Sequence, residues 1–290
     1  MKKVICSALL CLIVGMVCSM AMPVKASTIE KATWLWNPWS LIDGTTETLD
    51  FLSEKQVTKV YVQIDRDVSA DVYRSFIKGA TARGIDVYAL DGAPDWAAPK
   101  GYLQLRQLLG WVEQYQQASA NESDFKGIHL DVEPYLYSGW NSKRVTVVKA
   151  YQSLIKEASV KAVQLNIRME ADVPFWFDEI KFKNTYGSGL LSDWVQQHTD
   201  GITIMAYRDS AAAITPIVLH ELAVGDQLGK PVVIGVETGQ TSEGEYLTFI
   251  QEGEAVMNSE LEKVVQQVKS FQSFNGFAIH HTESWKALKP

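Results

Sequence analysis

The chain has 290 residues, of which 47% are hydrophobic and 21% are charged. This balance is typical of a globular protein and excludes a largely disordered chain. There are 27 Lys and Arg residues against 34 Asp and Glu residues, which gives a net charge of -7. The chain therefore lacks the positive field that gathers phosphate backbones or anionic lipids, and we expect no nucleic-acid partner.

The N-terminus has the features of an export signal. Two lysines precede the uncharged, mostly apolar run Val4–Met22, and Val24 and Ala26 place small residues at positions -3 and -1 of a cleavage site. We expect residues 1–26 to be a signal peptide cleaved after Ala26, and the mature protein to be a secreted monomer that does not associate with membranes. An uncleaved anchor is the alternative, because about 19 residues could span a bilayer.

Residues 27–290 alternate between short β-rich runs and longer segments with helical spacing. The predicted strands are Ala32–Asn37, Lys59–Asp65, Asp86–Asp91, Gly127–Glu133, Val163–Glu170, Gly201–Tyr207, Pro231–Glu237 and Gly276–His281. Eight strand-helix repeats in one domain predict an α/β fold of the (β/α)8 TIM-barrel type. A doubly wound open sheet is the alternative, but the first strand is not followed by a glycine-rich phosphate loop.

Polar residues are concentrated near the ends of these strands, which in a barrel meet at the open mouth. In the fourth strand, His129, Asp131 and Glu133 alternate with apolar residues and so share one face. Arg168 and Glu170 do the same in the fifth strand. The other strands contribute Trp36, Asp65, Asp91, Tyr207 and Glu237. We expect these residues to surround a substrate, although Arg168 could instead belong to a structural ion-pair network with Glu170 and Asp131.

Carboxylates gathered at a barrel mouth suit the cleavage of glycosidic bonds. The transition state resembles an oxocarbenium ion, so one acid protonates the leaving oxygen and a negative group stabilises the sugar cation. Crowded, buried carboxylates also raise the pKa of at least one member, which keeps a proton available near neutral pH. Glu133 ends the fourth strand two residues after Asp131, and we interpret it as the proton donor.

Three short segments are similar to the chitinase-like family 18 glycoside hydrolases. That family carries Asp-Gly-x-Asp-x-Asp-x-Glu on strand four, and the segment from Lys126 to Glu133 preserves the glycine and the last acid pair but has Lys126 and His129 in place of the first two aspartates. Met205-Ala206-Tyr207-Arg208 resembles the family's Met-x-Tyr-Asp, with Arg208 at the aspartate position. Trp285 resembles the tryptophan at the floor of the family's sugar site.

The resemblance implies a (β/α)8 barrel that hydrolyses an N-acetylated polysaccharide such as chitin or cell-wall glycan, without a cofactor. Glu133 would be the general acid. Asp131 would orient the 2-acetamido group of the substrate as it attacks the anomeric carbon, and Tyr207 would hydrogen-bond that group. His129 lies on the same face as Asp131, where an imidazole could hydrogen-bond the carboxylate and tune its protonation in place of the missing aspartate.

A second sugar-cleaving pattern fits the same strands. A large clan of retaining barrel glycosidases carries its acid/base Glu at the end of strand four and its nucleophile Glu at the end of strand seven. Glu133 and Glu237 occupy these two positions in the predicted strand order, although Val132 stands where that clan usually has Asn. The two mechanisms share Glu133 and differ in the role of Glu237.

Two other classes of function stay open. His129, Asp131 and Glu133, with the adjacent His280 and His281, could ligate a divalent metal for a hydrolytic reaction, but no His-x-His or His-Glu-x-x-His spacing supports a metal site. A carbohydrate-binding barrel without catalysis is the other alternative. In that case the substituted signature marks a lost activity, and the sugar stacks on tryptophans. The candidates for such stacking are Trp36, Trp39, Trp96, Trp140 and Trp176.

Overall fold

The computed structural model describes residues 29–290. The predicted signal peptide and its cleavage site lie outside the described residues. The eight barrel strands are β1 (Glu30–Leu35), β2 (Lys59–Gln63), β3 (Asp86–Asp91), β4 (Gly127–Leu130), β5 (Arg168–Pro174), β8 (Gly201–Met205), β9 (Val232–Glu237) and β10 (Phe274–His280). Two further strands, β6 (Lys181–Asn184) and β7 (Gly187–Leu190), form a separate antiparallel hairpin. The helices are α1 (Leu41–Glu54), α2 (Ala70–Thr81), α3 (Tyr102–Ala118), α4 (Trp140–Leu165), α5 (Leu191–His198), α6 (Ala211–Ile214), α7 (Leu219–Leu228), α8 (Glu254–Val268) and α9 (Thr282–Ala287).

The eight barrel strands are parallel and close on themselves in the order β1-β10-β9-β8-β5-β4-β3-β2. Parallel neighbours require crossovers, and helices such as α2 supply them. The side chain of Ser69 caps α2 by accepting a hydrogen bond from the backbone N–H of Asp71, and Gly84, at φ +74°, follows its end. The predicted (β/α)8 fold is therefore confirmed.

The strands separate two apolar layers. Side chains on one face pack against the helices, and those on the other face fill the interior of the barrel. The interior cluster is Ala32, Trp34, Tyr61, Tyr88, Leu90, Val233 and Ala278. The same inward positions continue toward both ends of each strand, so inward polar residues lie at the floor of the barrel, at its mouth or, like His129, between them.

Among the strands, the fifth departs most from its predicted bounds. Helix α4 continues to Leu165, and Asn166 ends it in the left-handed conformation at φ 56°. Strand β5 then runs from Arg168 to Pro174, so the predicted range Val163–Glu170 overlaps it at only three residues. Val163 is 76% exposed on the helix. The apolar residues that suggested a strand thus belong partly to the last turn of a helix.

This shift moves Arg168 and Glu170 to the start of β5, at the opposite end of the barrel from the mouth. Glu170 is buried there, and Nζ of Lys59 lies 3.0 Å from Glu170 and 3.0 Å from Glu30. Nε of the half-exposed Arg168 lies 3.8 Å from Glu170. The expectation that Arg168 and Glu170 surround a substrate at the mouth is therefore wrong, and the pair belongs to an ion-pair network at the floor, without Asp131.

Candidate active site at the barrel mouth

A cavity of about 300 Å³ opens at the C-terminal ends of β4, β5 and β8. Glu133 and Tyr135 line it from the segment after β4, and Tyr207 and Arg208 line it from the segment after β8. The remaining wall is mostly apolar and comprises Leu136, Pro174, Phe175, Trp176, Met205 and Leu247, with Glu243 from the loop after β9. An apolar cleft with a few convergent polar groups is the usual form of a small-molecule site.

Glu133 is a carboxylic acid in the wall of this cavity, and the segment after β4 positions it. It lies three residues after the end of β4 and immediately before Pro134, the first residue of a short 3-10 helix. Burial raises the pKa of Glu133, while a hydrogen bond from the Tyr135 hydroxyl partly offsets that rise. This upward shift is the direction that a proton donor requires.

Asp131 lies deeper in the barrel on the same face of the chain as Glu133. Its backbone N–H donates to the carbonyl of Asp91 over 3.1 Å, which extends the β3–β4 pairing beyond Leu130. Gly92 permits this close approach, because a Cβ at that position would lie 1.9 Å from the carbonyl oxygen of Asp131. Oδ1 of Asp131 is buried and has no hydrogen-bond partner among the described residues. Burial raises the pKa of Asp131 well above its usual value, and the charges of Asp172 and Glu133 add to the rise.

Asp172 is a site residue that the sequence analysis missed. It lies on β5, one position beyond the pairing of Leu130 with Ala171, and so stands beside Asp131 on the neighbouring strand. Its side chain is buried, Oδ2 accepts a hydrogen bond of 2.9 Å from the indole N–H of Trp34, and burial raises its pKa well above the usual value. The available signal was the alternation of Glu170 and Asp172, which points to one strand face once β5 is given its correct bounds.

His129 is enclosed in the barrel interior. Its ring stacks on Tyr61 with centroids 3.7 Å apart, and Nε2 lies 2.9 Å from Oδ1 of Asp172, at an angle that does not satisfy hydrogen-bond geometry. Burial lowers the pKa of His129 to about 3, so the imidazole is neutral. Its closest carboxylates are Asp172 and Glu170, the latter 4.0 Å from Nδ1, in place of the predicted contact with Asp131.

Glu237 ends β9 and is held by hydrogen bonds on both oxygens. Oε1 accepts from the backbone N–H groups of Thr238 (2.8 Å) and Gly239 (2.5 Å), and Oε2 lies 2.7 Å from Nδ1 of His280. Burial alone would raise the pKa of Glu237, but these hydrogen bonds outweigh it and lower the pKa. Trp36 donates from its indole N–H to Nε2 of His280 over 3.0 Å. Trp36 therefore supports Glu237 through His280.

Tyr207 lies near His280 and near the carboxylates at the barrel mouth. Its ring centroid is 5.7 Å from that of His280, and its hydroxyl is kept protonated because burial raises its pKa well above the usual value, with further contributions from Asp172 and Glu237. A protonated phenol is a hydrogen-bond donor. The structure thus brings Glu133, Asp131, Tyr207 and Glu237 to one end of the barrel, as the sequence analysis expected, and adds Asp172 and His280.

Three further predicted residues lie away from the cavity. Trp285 is on α9, where its ring packs against Phe51 and its indole N–H donates to Glu254 over 3.0 Å, so it does not form the floor of a sugar site. Asp65 follows β2 and accepts hydrogen bonds from the indole of Trp39 and the N–H of Asp67. Asp91, whose pKa burial raises to about 6, accepts from the N–H of Gly92. The cavity wall includes neither of these aspartates, and among the predicted catalytic residues it includes Glu133 and Tyr207 but not Asp131 or Glu237.

Within residues 29–290, no group of three or more His, Cys, Asp or Glu side chains is arranged to hold a metal ion. The histidine-carboxylate set considered from the sequence is therefore not assembled as a ligand cluster in that part of the chain. No helix in the same range combines the length and the apolar character that crossing a membrane requires.

Comparison by sequence finds no matching protein-family model and no matching curated protein. Comparison by structure finds a chitinase from Bacteroides thetaiotaomicron, with a TM-score of 0.56 and 12% identity over 89% of this chain and 91% of the other. The spore cortex-lytic enzyme SleL of Bacillus megaterium aligns with a TM-score of 0.55 and 10% identity, covering 89% of this chain and 73% of the other. An endo-beta-N-acetylglucosaminidase from Cordyceps militaris aligns with a TM-score of 0.55 and 13% identity, covering 88% of this chain and 82% of the other.

These likenesses concern the backbone. At 10–13% identity they establish that the chain shares the barrel of these glycosidases, and the assignment of chemistry depends on the side chains at the mouth. The resemblance expected from the strand-four and strand-six segments is thus matched at the level of the fold.

Proposed function

We propose that this protein is a glycoside hydrolase that cleaves an N-acetylated glycan with Glu133 as general acid. The observation that carries the proposal is the position of Glu133. It lies three residues after the end of β4, lines the mouth cavity, has a pKa raised by burial, and follows Asp131, whose Oδ1 is buried, by two residues. The structural neighbours named for chitinase and endo-beta-N-acetylglucosaminidase activity support the same substrate class.

In the proposed reaction, Glu133 protonates the glycosidic oxygen as the bond to the anomeric carbon breaks. The carbonyl oxygen of the substrate's 2-acetamido group attacks that carbon, Asp131 holds the acetamido N–H, and Tyr207 donates a hydrogen bond to the group. Water then opens the cyclic intermediate, with Glu133 acting as base and regaining its proton. Glu237 is a poor alternative nucleophile, because three donors already occupy its two oxygens.

The N-terminal segment adds a proposal on location. We infer that residues 1–26 direct export and that the mature protein acts outside the cell as a monomer on a carbohydrate polymer or oligosaccharide. Determination of the N-terminal residue of the protein recovered from culture medium tests cleavage after Ala26, and light scattering of the mature protein tests the oligomeric state.

The test of the catalytic proposal is Glu133→Gln, which preserves the shape of the side chain but removes the transferable proton. We expect turnover of chitin oligosaccharides or glycan strands to fall by at least about a hundredfold, with unchanged thermal unfolding. Glu122→Gln, on the protein surface, is the matched control and should retain activity. Full activity of a folded Glu133→Gln protein would refute the proposal. Binding of sugar without new reducing ends in the wild type would favour a carbohydrate-binding barrel instead.

A further inference from the structure

The mouth cavity contains a cation that the proposed reaction does not use. Arg208 follows Tyr207 at the end of β8 and lines the same cavity as Glu133. The segment resembles a motif with aspartate at this position, so the substitution reverses the sign of a charge at the substrate site. This reversal changes which ligands the cavity attracts.

The fold holds the Arg208 guanidinium in place. Nη1 donates to the backbone carbonyl of Tyr207 over 2.6 Å, and Cζ lies 4.9 Å from the ring centroid of Phe175 and 5.7 Å from that of Tyr246. Stacking on aromatic rings restricts the side chain and leaves its N–H edge free to bind. The geometry is that of a fixed cation.

Arg208 has no anionic partner within the described part of the chain. No carboxylate of residues 29–290 lies within 4.0 Å of its guanidinium, and the carbonyl of Tyr207 is its one hydrogen-bond acceptor in that range. Neither acid of the cavity pairs with it: Glu133 accepts a hydrogen bond from the Tyr135 hydroxyl, and Glu243 is exposed on the loop after β9. A guanidinium with unused donors in a largely apolar cavity matches the planar pair of oxygens of a carboxylate.

We propose that the cavity binds a glycan whose sugar carries a carboxylate, and that Arg208 binds this group. The inference rests on the proposed function and narrows its substrate class from N-acetylated glycans in general to acidic ones. Two kinds of glycan offer this chemistry: strands in which N-acetylmuramic acid carries a lactyl carboxylate, and oligosaccharides that contain uronic acid.

The experiment measures binding in the Glu133→Gln background, so that cleavage does not interfere. The probes are peptide-free glycan strands with free lactyl carboxylates, the same strands after amidation of those carboxylates, and uronic-acid oligosaccharides. We expect an acidic probe to bind at least about tenfold more tightly than the amidated strands, with an affinity that falls as salt concentration rises. Adding Arg208→Gln should abolish the difference, whereas Arg208→Lys should retain part of it.

Arg144→Gln is the matched control, because Arg144 also lies over an aromatic ring, that of Trp140 at 5.0 Å, but outside the cavity. It should leave every Kd unchanged. Tighter binding of either acidic probe supports the inference and identifies the source of the carboxylate. Two results would overturn the inference. The first is that neither the acidic strands nor the uronic-acid probe bind more tightly than the amidated strands. The second is that Arg208→Gln weakens the binding of all probes equally. Failure of the wild type to cleave any probe contradicts the proposed function, whereas these affinities still decide the role of Arg208.

Discussion

Nδ1 of His280 lies 2.7 Å from Oε2 of Glu237, and the hydrogen bond between them has a determined direction. The indole N–H of Trp36 donates to Nε2 of the same ring, so that nitrogen must accept and Nδ1 must carry the proton. His280 thus donates its Nδ1–H to the carboxylate of Glu237.

This arrangement predicts that Glu237 supports the mouth without forming a covalent intermediate. Glu237→Gln should retain turnover within about tenfold, because the substrate supplies the nucleophile, whereas loss of an enzyme nucleophile costs several powers of ten. A thiazoline analogue of the cyclised sugar should inhibit strongly, since it mimics the intermediate. Steady-state kinetics and inhibition constants test both points. Near-complete inactivity of folded Glu237→Gln together with weak thiazoline binding would instead assign Glu237 as the nucleophile.

The neighbouring acids Asp131 and Asp172 are expected to titrate as a pair. Each is buried, and the charge of Asp172 contributes to the raised pKa of Asp131. Asp172→Asn removes that charge, so the pKa of Asp131 should fall, and the indole of Trp34 can still donate to the amide oxygen. Carbon NMR titration of labelled aspartates measures the shift. An unchanged pKa of Asp131 in the folded variant would show that the two carboxylates are independent.

The pH dependence of catalysis should follow Glu133 and not His129. The general acid must be protonated, and its pKa is raised, so kcat/KM should fall as pH increases through that pKa. His129 has a pKa of about 3 and stays neutral throughout that range. His129→Gln should therefore keep the alkaline limb in place, as a pH-rate profile can show. If a folded His129→Gln protein lost the alkaline limb of the profile, the titration of His129 would control the activity instead.

The floor of the barrel should depend on Lys59 for stability. Its ammonium group faces both Glu30 and Glu170, and all three side chains are at most 15% exposed. Lys59→Met removes the closest cation of both carboxylates and leaves only the half-exposed Arg168 near Glu170, which should cost about 3–5 kcal/mol of unfolding free energy. Lys78→Met is the control, since its ion pair with Glu122 is exposed to solvent and its loss should leave the free energy of unfolding nearly unchanged. Urea denaturation measures both, and equal effects would contradict the assignment.

The sequence by itself determined the barrel and the position of Glu133. The repeated strand-helix alternation reflects local conformational preferences and the burial of both faces of a parallel sheet. Each of these produces a periodic pattern of apolar residues in the sequence. The alternation of His129, Asp131 and Glu133 is of the same kind, because side chains two residues apart on a strand point the same way. Such features depend on neighbours along the chain and so can be recognised without the fold.

The position of β5 and the contacts across the barrel were decided by the tertiary structure. The segment after Val163 has apolar residues that suit either a helix end or a strand, and its helical state depends on packing of α4 through Ala158 and Ala162. The error in its bounds displaced Arg168 and concealed Asp172. Bonds such as Trp34 to Asp172 and Trp36 to His280 join residues 138 and 244 positions apart. Closure of the sheet brings these residues together, and no local sequence pattern predicts which polar groups come into contact.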